Sequence, residues 1–103
     1  MNEQEIVKTF KEEGKTAPSV TPEMVDDNII DIEIVKHVSK SGKILRWALL
    51  TTKCGYTVTG DPSVSVSPEN DIPKVGESVA VSNARRELWP IMGYHLSCQL
   101  AGL

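Results

Sequence analysis

The sequence predicts an α+β fold, in which a small antiparallel sheet of three or four strands is covered by a long kinked C-terminal helix. Apolar and polar residues alternate through much of residues 30–67, which is the period of half-buried strands. Apolar residues then recur every three to four positions through residues 73–100, as on one face of a helix. Short polar turns between the strands favour antiparallel neighbours. At 103 residues the chain has room for one core.

The first 20 residues are expected to form a helical arm and a linker, followed by a single α+β domain over residues 21–103. Asn2 is a candidate N-cap with Glu5 three residues later, and Gly14 ends the apolar pattern. We expect the arm to be attached loosely or to dock on a neighbouring subunit. A second short helix is predicted to begin at Thr21–Glu23, with threonine as its N-cap and proline at its first position.

The predicted strands cover residues 30–38, 44–52, 56–60 and 63–67, and their short connections indicate a meander. The second strand is the most apolar one. Leu45, Trp47 and Leu49 point to one face, and apolar residues also occupy the other face. We therefore expect both faces of this strand to be covered and Trp47 to lie in the core.

The long helix is predicted to start at Asp71 as its N-cap, with Pro73 in its first turn. Pro90 lies inside the apolar pattern, where it removes a backbone donor and crowds the preceding turn. The sequence therefore predicts either two helices or one bent helix, with the kink near residues 87–89.

Nothing in the sequence indicates catalysis, a metal or a cofactor. The seven glycines are dispersed, so no phosphate-binding loop is present. The histidines, His37 and His95, lie far apart, and Cys54 and Cys98 lack the spacing of metal ligands. We expect the protein not to be an enzyme, and both thiols to be reduced.

The bulk properties weigh against two classes of partner. The net charge is −3, whereas proteins that bind long nucleic acids are usually basic. No apolar run approaches the roughly 18 residues that a membrane span requires. We therefore expect neither long nucleic acid nor a membrane as a partner.

Arg85 and Arg86 are the residues most suited to bind an anion. Adjacent helical residues point about 100° apart, so the two side chains leave the helix in different directions. Arg85 lies four residues before Trp89 and is placed to stack on its ring. A planar guanidinium fork suits phosphate. The alternative is that both arginines are surface charges, or pair with Glu87 and nearby acids.

From about residue 21 to residue 100, the chain resembles the phage N4 gp49/Sf6 gene 66 family of small phage proteins. The resemblance depends on the combined order and spacing of several short motifs, each of them weak by itself. These are Thr21-Pro22-Glu23, Gly55-Tyr56-Thr57-Val58-Thr59-Gly60, Val66-Ser67-Pro68-Glu69-Asn70, Gly76, Val79-Ala80, Asn83-Ala84-Arg85, Leu88-Trp89-Pro90, and Gly93-Tyr94 followed by Leu96.

The same pattern is similar to that of phage proteins that block Thoeris immunity, the first class of Thoeris anti-defence proteins. The resemblance implies a molecular sponge that binds a cyclic ADP-ribose isomer or a cyclic oligonucleotide and holds this immune signal without cleaving it. It also implies a homodimer or higher homo-oligomer in the cytoplasm of the infected bacterial host. The alternatives are a protein–protein inhibitor or adaptor, docking on a host complex through the acidic N-terminal half, and a structural accessory of the virion or replication apparatus.

The resemblance also implies which residues bind the ligand. Tyr56 is the candidate to stack on a base, Asn70 the candidate polar contact, and Arg85 the candidate phosphate partner. With Arg86 and Trp89, these residues make up the predicted ligand site.

The chain departs from the family pattern at two positions near this site, and its segment 61–67 is one residue longer than the pattern. Val81 stands where family members often carry a second arginine, and Asp71 stands where an aromatic residue commonly follows the asparagine. Arg86 is the candidate substitute for the second arginine. These differences affect which ligand the site accepts, or whether it accepts one.

Overall fold

The computed structural model describes residues 2–14 and 17–103 and has the predicted α+β architecture. Its helices and strands follow one another in the order α1 (Glu3–Glu12), α2 (Pro22–Asn28), β1 (Ile29–Val38), β2 (Ile44–Thr52), β3 (Thr57–Thr59), β4 (Ser63–Ser65) and α3 (Pro73–Leu100). A 3-10 turn, Pro68–Asn70, leads from β4 into α3. No described helix has both the length and the hydrophobicity needed to cross a bilayer.

The two short helices begin where their sequences provide caps. Asn2 Oδ1 accepts a hydrogen bond from the Glu5 amide at 2.8 Å, and Thr21 Oγ1 accepts one from the Met24 amide at 3.3 Å. Gly14, at φ +68°, follows the end of α1 as predicted. None of the α1 residues is buried, so α1 is an arm on the surface. Residues 15 and 16 of the predicted linker lie outside the described residues.

Strand β2 is the centre of the sheet, with β1 on one side and both β3 and β4 on the other. All pairs are antiparallel. The meander is confirmed for β1, β2 and β3 but is wrong for β4, which pairs with β2 instead of β3. Alternation predicts a strand but does not say which neighbour it pairs with.

Strands β3 and β4 form one interrupted edge row. Because β3 pairs with residues 49–51 and β4 with residues 44–46, the three residues 60–62 lie opposite only two, 47 and 48. This bulge brings Gly60 against α3, where an added Cβ would lie 2.5 Å from the Asn83 carbonyl carbon. The Asn83 side chain donates to the Asp61 carbonyl oxygen at 2.9 Å, so a hydrogen bond also joins α3 to the bulge between β3 and β4.

Helix α3 packs on one face of the sheet, and the core lies between them. Ala80 and Ala84 are fully buried there, and their small side chains allow the helix to approach β2 closely. The buried apolar residues are Val25, Ala48, Leu50, Val58, Ala80, Ala84 and Leu88. Leu45, Trp47 and Leu49 point to the opposite face and are only half-buried. The prediction that Trp47 lies in the core is therefore wrong, because the long helix covers one side of β2 alone.

Helix α3 runs for 28 residues through Pro90 without interruption, so it is one helix and not two. Pro90 cannot donate to the carbonyl of Arg86. Both residues are exposed, which puts that carbonyl within reach of water and makes the loss tolerable.

Asp71 does not cap α3. The N-cap is Ile72, which makes no side-chain cap bond. Asp71 instead accepts both hydrogen bonds of the buried Arg46 guanidinium, at 2.7 and 2.8 Å, and one from Ser65 Oγ at 2.5 Å. These bonds hold the pKa of the Asp71 carboxyl well below its usual range. Gly76 leaves room for the pair, since a Cβ there would lie 2.8 Å from Arg46 Nη1.

Candidate ligand site

Arg85 lies midway along α3 and joins it to α1 and α2. Its Nε donates to Asp26 Oδ1 at 2.7 Å, and its Nη2 donates to the Pro22 carbonyl oxygen at 3.1 Å. Its Nη1 forms an ion pair with the Glu3 carboxylate. The guanidinium carbon lies 5.2 Å from the centroid of the Trp89 ring, so the predicted stacking is present.

The hydrogen-bond partners of Arg85 stabilise its charged form. Burial disfavours the charged form, but hydrogen bonds with Asp26 and Glu3 outweigh it and raise the pKa of the guanidinium. Only 16% of the side chain is exposed. The alternative of pairing with acidic residues therefore also holds, although the partners are Asp26 and Glu3, not Glu87.

A cleft of about 500 Å³ opens beside Arg85. Arg85, Arg86 and Trp89 line one side of it, and Ser82 supplies a hydroxyl. Its remaining lining residues, Asn2, Glu3 and Ile6, belong to the N-terminal arm. Two guanidinium groups next to an indole ring provide charge-assisted donors and a stacking surface, which suits a phosphorylated aromatic ligand. We call this the Arg85 cleft.

A second cleft, of about 540 Å³, lies against Trp89 and is mostly apolar. Pro22 of α2 and three apolar residues of α1, Ile6, Val7 and Phe10, contribute to its lining. Trp89 and Glu3 line both clefts. A cationic pocket and an apolar one therefore meet at the same indole, with a carboxylate at their junction.

The other two predicted residues lie elsewhere. Tyr56 lines a separate cavity of about 450 Å³ that it shares with Met92 and His95. Asn70 is exposed at the end of the 3-10 turn before α3. Arg85 lies 12 residues after Pro73, or about 18 Å along the helix at 1.5 Å per residue. Within one chain, the structure thus brings together three of the five predicted residues, Arg85, Arg86 and Trp89.

Val81, which stands where family members often carry a second arginine, does not line the Arg85 cleft. It is half-buried and packs against the core. Arg86 follows it by five residues, or about 140° around the helix, so Arg86 would reach a ligand from a different direction. Asp71, the other residue that departs from the family pattern, forms an ion pair with Arg46.

Sequence reasoning missed the residues that hold Arg85. Asp26 and Glu3 are separated from it by 59 and 82 residues, and no local spacing indicates either pairing. Neither cysteine lies in the core, since Cys54 is exposed and Cys98 is half-buried. Within residues 2–14 and 17–103, no group of three or more potential ligands could hold a metal ion.

The comparison with known protein families identifies the family of the chain. The model of the phage protein (N4 Gp49/phage Sf6 gene 66) family matches residues 20–100, from the segment before α2 to the end of α3. The match includes Arg85 and Trp89 and leaves out α1 with Glu3. No curated protein and no solved structure matches the chain. The chain belongs to the N4 Gp49/phage Sf6 gene 66 family of phage proteins.

Proposed function

We propose that this phage protein binds a cyclic nucleotide immune signal, a cyclic ADP-ribose isomer or a cyclic oligonucleotide, and sequesters it without cleaving it. It would thereby act as an anti-defence protein in the cytoplasm of the infected host. The observation that carries the proposal is the Arg85 cleft, where a stacked arginine, a second arginine and a tryptophan meet. The resemblance to Thoeris anti-defence proteins names the ligand class.

Each part of the cleft corresponds to a part of such a ligand. Phosphate oxygens would accept charge-assisted hydrogen bonds from Arg85 and Arg86. A base would stack on the free part of the Trp89 ring or enter the apolar cleft next to it. Asp26 would keep its bond to Nε, which fixes the plane of the Arg85 guanidinium before the ligand arrives and lowers the entropy cost of binding.

Glu3 is the group that a ligand has to replace. Its carboxylate now takes the position on Arg85 Nη1 that a phosphate oxygen would occupy. Glu3 lies on the surface arm α1, so displacing it requires the arm to move and leaves the core intact. The arm then provides a closable wall for the cleft, and closure would slow release of the signal.

A homodimer or higher homo-oligomer would complete the site. Tyr56 and Asn70 line neither the Arg85 cleft nor the apolar cleft beside it, so they would contribute to the site from a neighbouring subunit. Enclosure of a ligand between subunits also fits the small core, since seven apolar residues of the described part of the chain are buried.

Calorimetry with cyclic ADP-ribose isomers and cyclic oligonucleotides tests the proposal. Arg85→Ala should weaken binding by about 1.5–3 kcal/mol, the usual range for hydrogen bonds to charged groups. Lys74→Ala removes a positive charge from an exposed position elsewhere on α3 and should leave binding unchanged. Absence of heat with every ligand, or equal losses for the two variants, would exclude the Arg85 cleft as the binding site.

The second candidate is an inhibitor or adaptor that docks on a host complex. Asp27, Asp31 and Glu33, in α2 and β1, are all exposed, which gives the N-terminal half an acidic surface. A pull-down from host lysate separates the two proposals. One stoichiometric host partner, with no small ligand retained, would favour the inhibitor.

A further inference from the structure

The arm α1 holds an apolar surface beside Trp89 without filling the space between them. Ile6, Val7 and Phe10 line this space, the mostly apolar cleft of about 540 Å³, which we call the apolar cleft. Ile6 and Phe10 are 41% and 52% exposed, and none of the α1 residues is buried. Apolar side chains in proteins usually pack together with few gaps, so these walls suit an apolar group that binds between them.

We infer that the apolar cleft is a nucleobase subsite, in which Phe10 and Trp89 enclose one base of the ligand whose phosphate binds Arg85. The inference rests on the proposed function and adds a role for α1, which lies outside the family match over residues 20–100. The arm then selects the ligand, because it favours nucleotides over phosphorylated compounds that lack a base.

The position of the apolar cleft relative to Arg85 indicates a base as its occupant. Trp89 lines both clefts, and the guanidinium carbon of Arg85 lies 5.2 Å from the centroid of the Trp89 ring. A group in the apolar cleft and an anion at Arg85 are therefore close enough to belong to one molecule. In a nucleotide, one sugar separates an aromatic ring from a phosphate, which is the combination that these neighbouring clefts suit. The volume of the apolar cleft also lies within the usual range of small-molecule sites.

The face of α1 that carries Glu3 also carries part of the apolar wall. Glu3, Val7 and Phe10 are spaced by four and three residues, so they lie on one side of the helix. Phe10 lies about 10 Å from Glu3 along the helix axis. Because Glu3 pairs with Arg85, the apolar end of this face lies at the apolar cleft. A phosphate that displaces Glu3 therefore leaves Val7 and Phe10 able to close on the base.

Calorimetry with a matched pair of variants tests the subsite. Phe10 lines the apolar cleft but not the Arg85 cleft, so Phe10→Ser removes a wall of the base subsite and leaves the phosphate donors in place. Ile30→Ser is the control, at a position of β1 that is 61% exposed. With cyclic ADP-ribose isomers and cyclic diadenylate as probes, Phe10→Ser should weaken binding at least about fivefold, the lower limit for loss of one stacked base. Ile30→Ser should leave binding unchanged.

A second pair of probes measures the contribution of the base directly. AMP and ribose 5-phosphate carry the same phosphate and differ in the base. The wild type should bind AMP at least about fivefold more tightly than ribose 5-phosphate, and Phe10→Ser should reduce this preference. In a Trp47→Phe background, Trp89 is the remaining tryptophan. AMP should quench its emission, and ribose 5-phosphate should not.

The outcomes distinguish failure of the subsite from failure of the proposed function. Cyclic nucleotide binding that Arg85→Ala weakens and Phe10→Ser leaves at the wild-type level would overturn the base subsite while the proposed function stands. Equal affinity of the wild type for AMP and ribose 5-phosphate would also overturn the subsite. Absence of binding of every cyclic nucleotide by the wild type would overturn the proposed function, and the subsite with it.

Discussion

At the scale of single residues, the chemistry depends on which partner each arginine has. Arg46 is buried and held by Asp71 on the core side of the sheet, so its charge serves the fold. Arg85 has one partner, Asp26, that orients it and a second, Glu3, on a surface arm. A charge whose partner can leave is available to a ligand, whereas a charge locked in the core is not.

Replacement of Glu3 by glutamine should strengthen binding of the cyclic nucleotide. Glu3→Gln removes the carboxylate that competes for Arg85 Nη1, and we expect a gain of about 1.5- to 5-fold, which corresponds to the free energy of one exposed ion pair. Glu13→Gln is the matched control, because it makes the same change at the far end of the arm. Weaker binding by Glu3→Gln would mean that Glu3 contacts the ligand instead of competing with it.

The Asp71–Arg46 pair should make stability depend on pH. Because the pair lowers the pKa of Asp71 in the folded chain, the unfolded chain binds a proton first as the pH falls. The stabilisation is therefore complete above the usual aspartate range and is lost below it. Asp71→Asn should lower Tm at pH 7, and the difference from wild type should shrink towards pH 3. Asp27→Asn, at an exposed position, should show no such trend, and a constant difference for Asp71→Asn would contradict the account.

At the scale of elements, the fold depends on how closely α3 passes over the edge row of the sheet. Gly60 meets the backbone of Asn83 there, with no space for a side chain. The contact joins the interrupted strand row to the middle of the helix that carries Arg85. The position of the candidate site therefore depends on one glycine outside it.

Gly60→Ala should destabilise the protein by about 1–3 kcal/mol, the usual cost of overpacking, and urea denaturation measures it. Gly93→Ala is the control, because a Cβ at Gly93 would meet nothing within 4 Å and alanine favours the helix by about 0.5–1 kcal/mol. If Gly60→Ala is as stable as the wild type, α3 does not pass as closely as described.

The sequence predicted those elements whose signals are local. The apolar run of β2 indicated its limits, Ile44–Thr52, and Thr21 indicated the start of α2. Contacts between residues distant in sequence were missed. Asp71, for example, binds Arg46, which lies 25 residues away, and therefore does not cap α3. The stacking of Arg85 on Trp89 followed from helical spacing, but its pairing with Glu3 joins opposite ends of the chain and has no local pattern.

At the scale of the whole molecule, the chain is more extended than a compact globule of the same length. Its radius of gyration is 16.6 Å, compared with about 13 Å for a globule of this length. The surface arm α1 contributes to this extension. In the proposed function, the arm opens and closes the Arg85 cleft.

The most direct test of the proposed function is recovery of the signal after capture. A cyclic ADP-ribose isomer is incubated with excess protein, the protein is removed by filtration, and the retained fraction is released by heat. Sequestration predicts that the signal disappears from the filtrate and returns intact and in full after heating, whereas Arg85→Ala leaves it in the filtrate. A signal that stays in the wild-type filtrate, or returns as a cleaved product, would contradict the account.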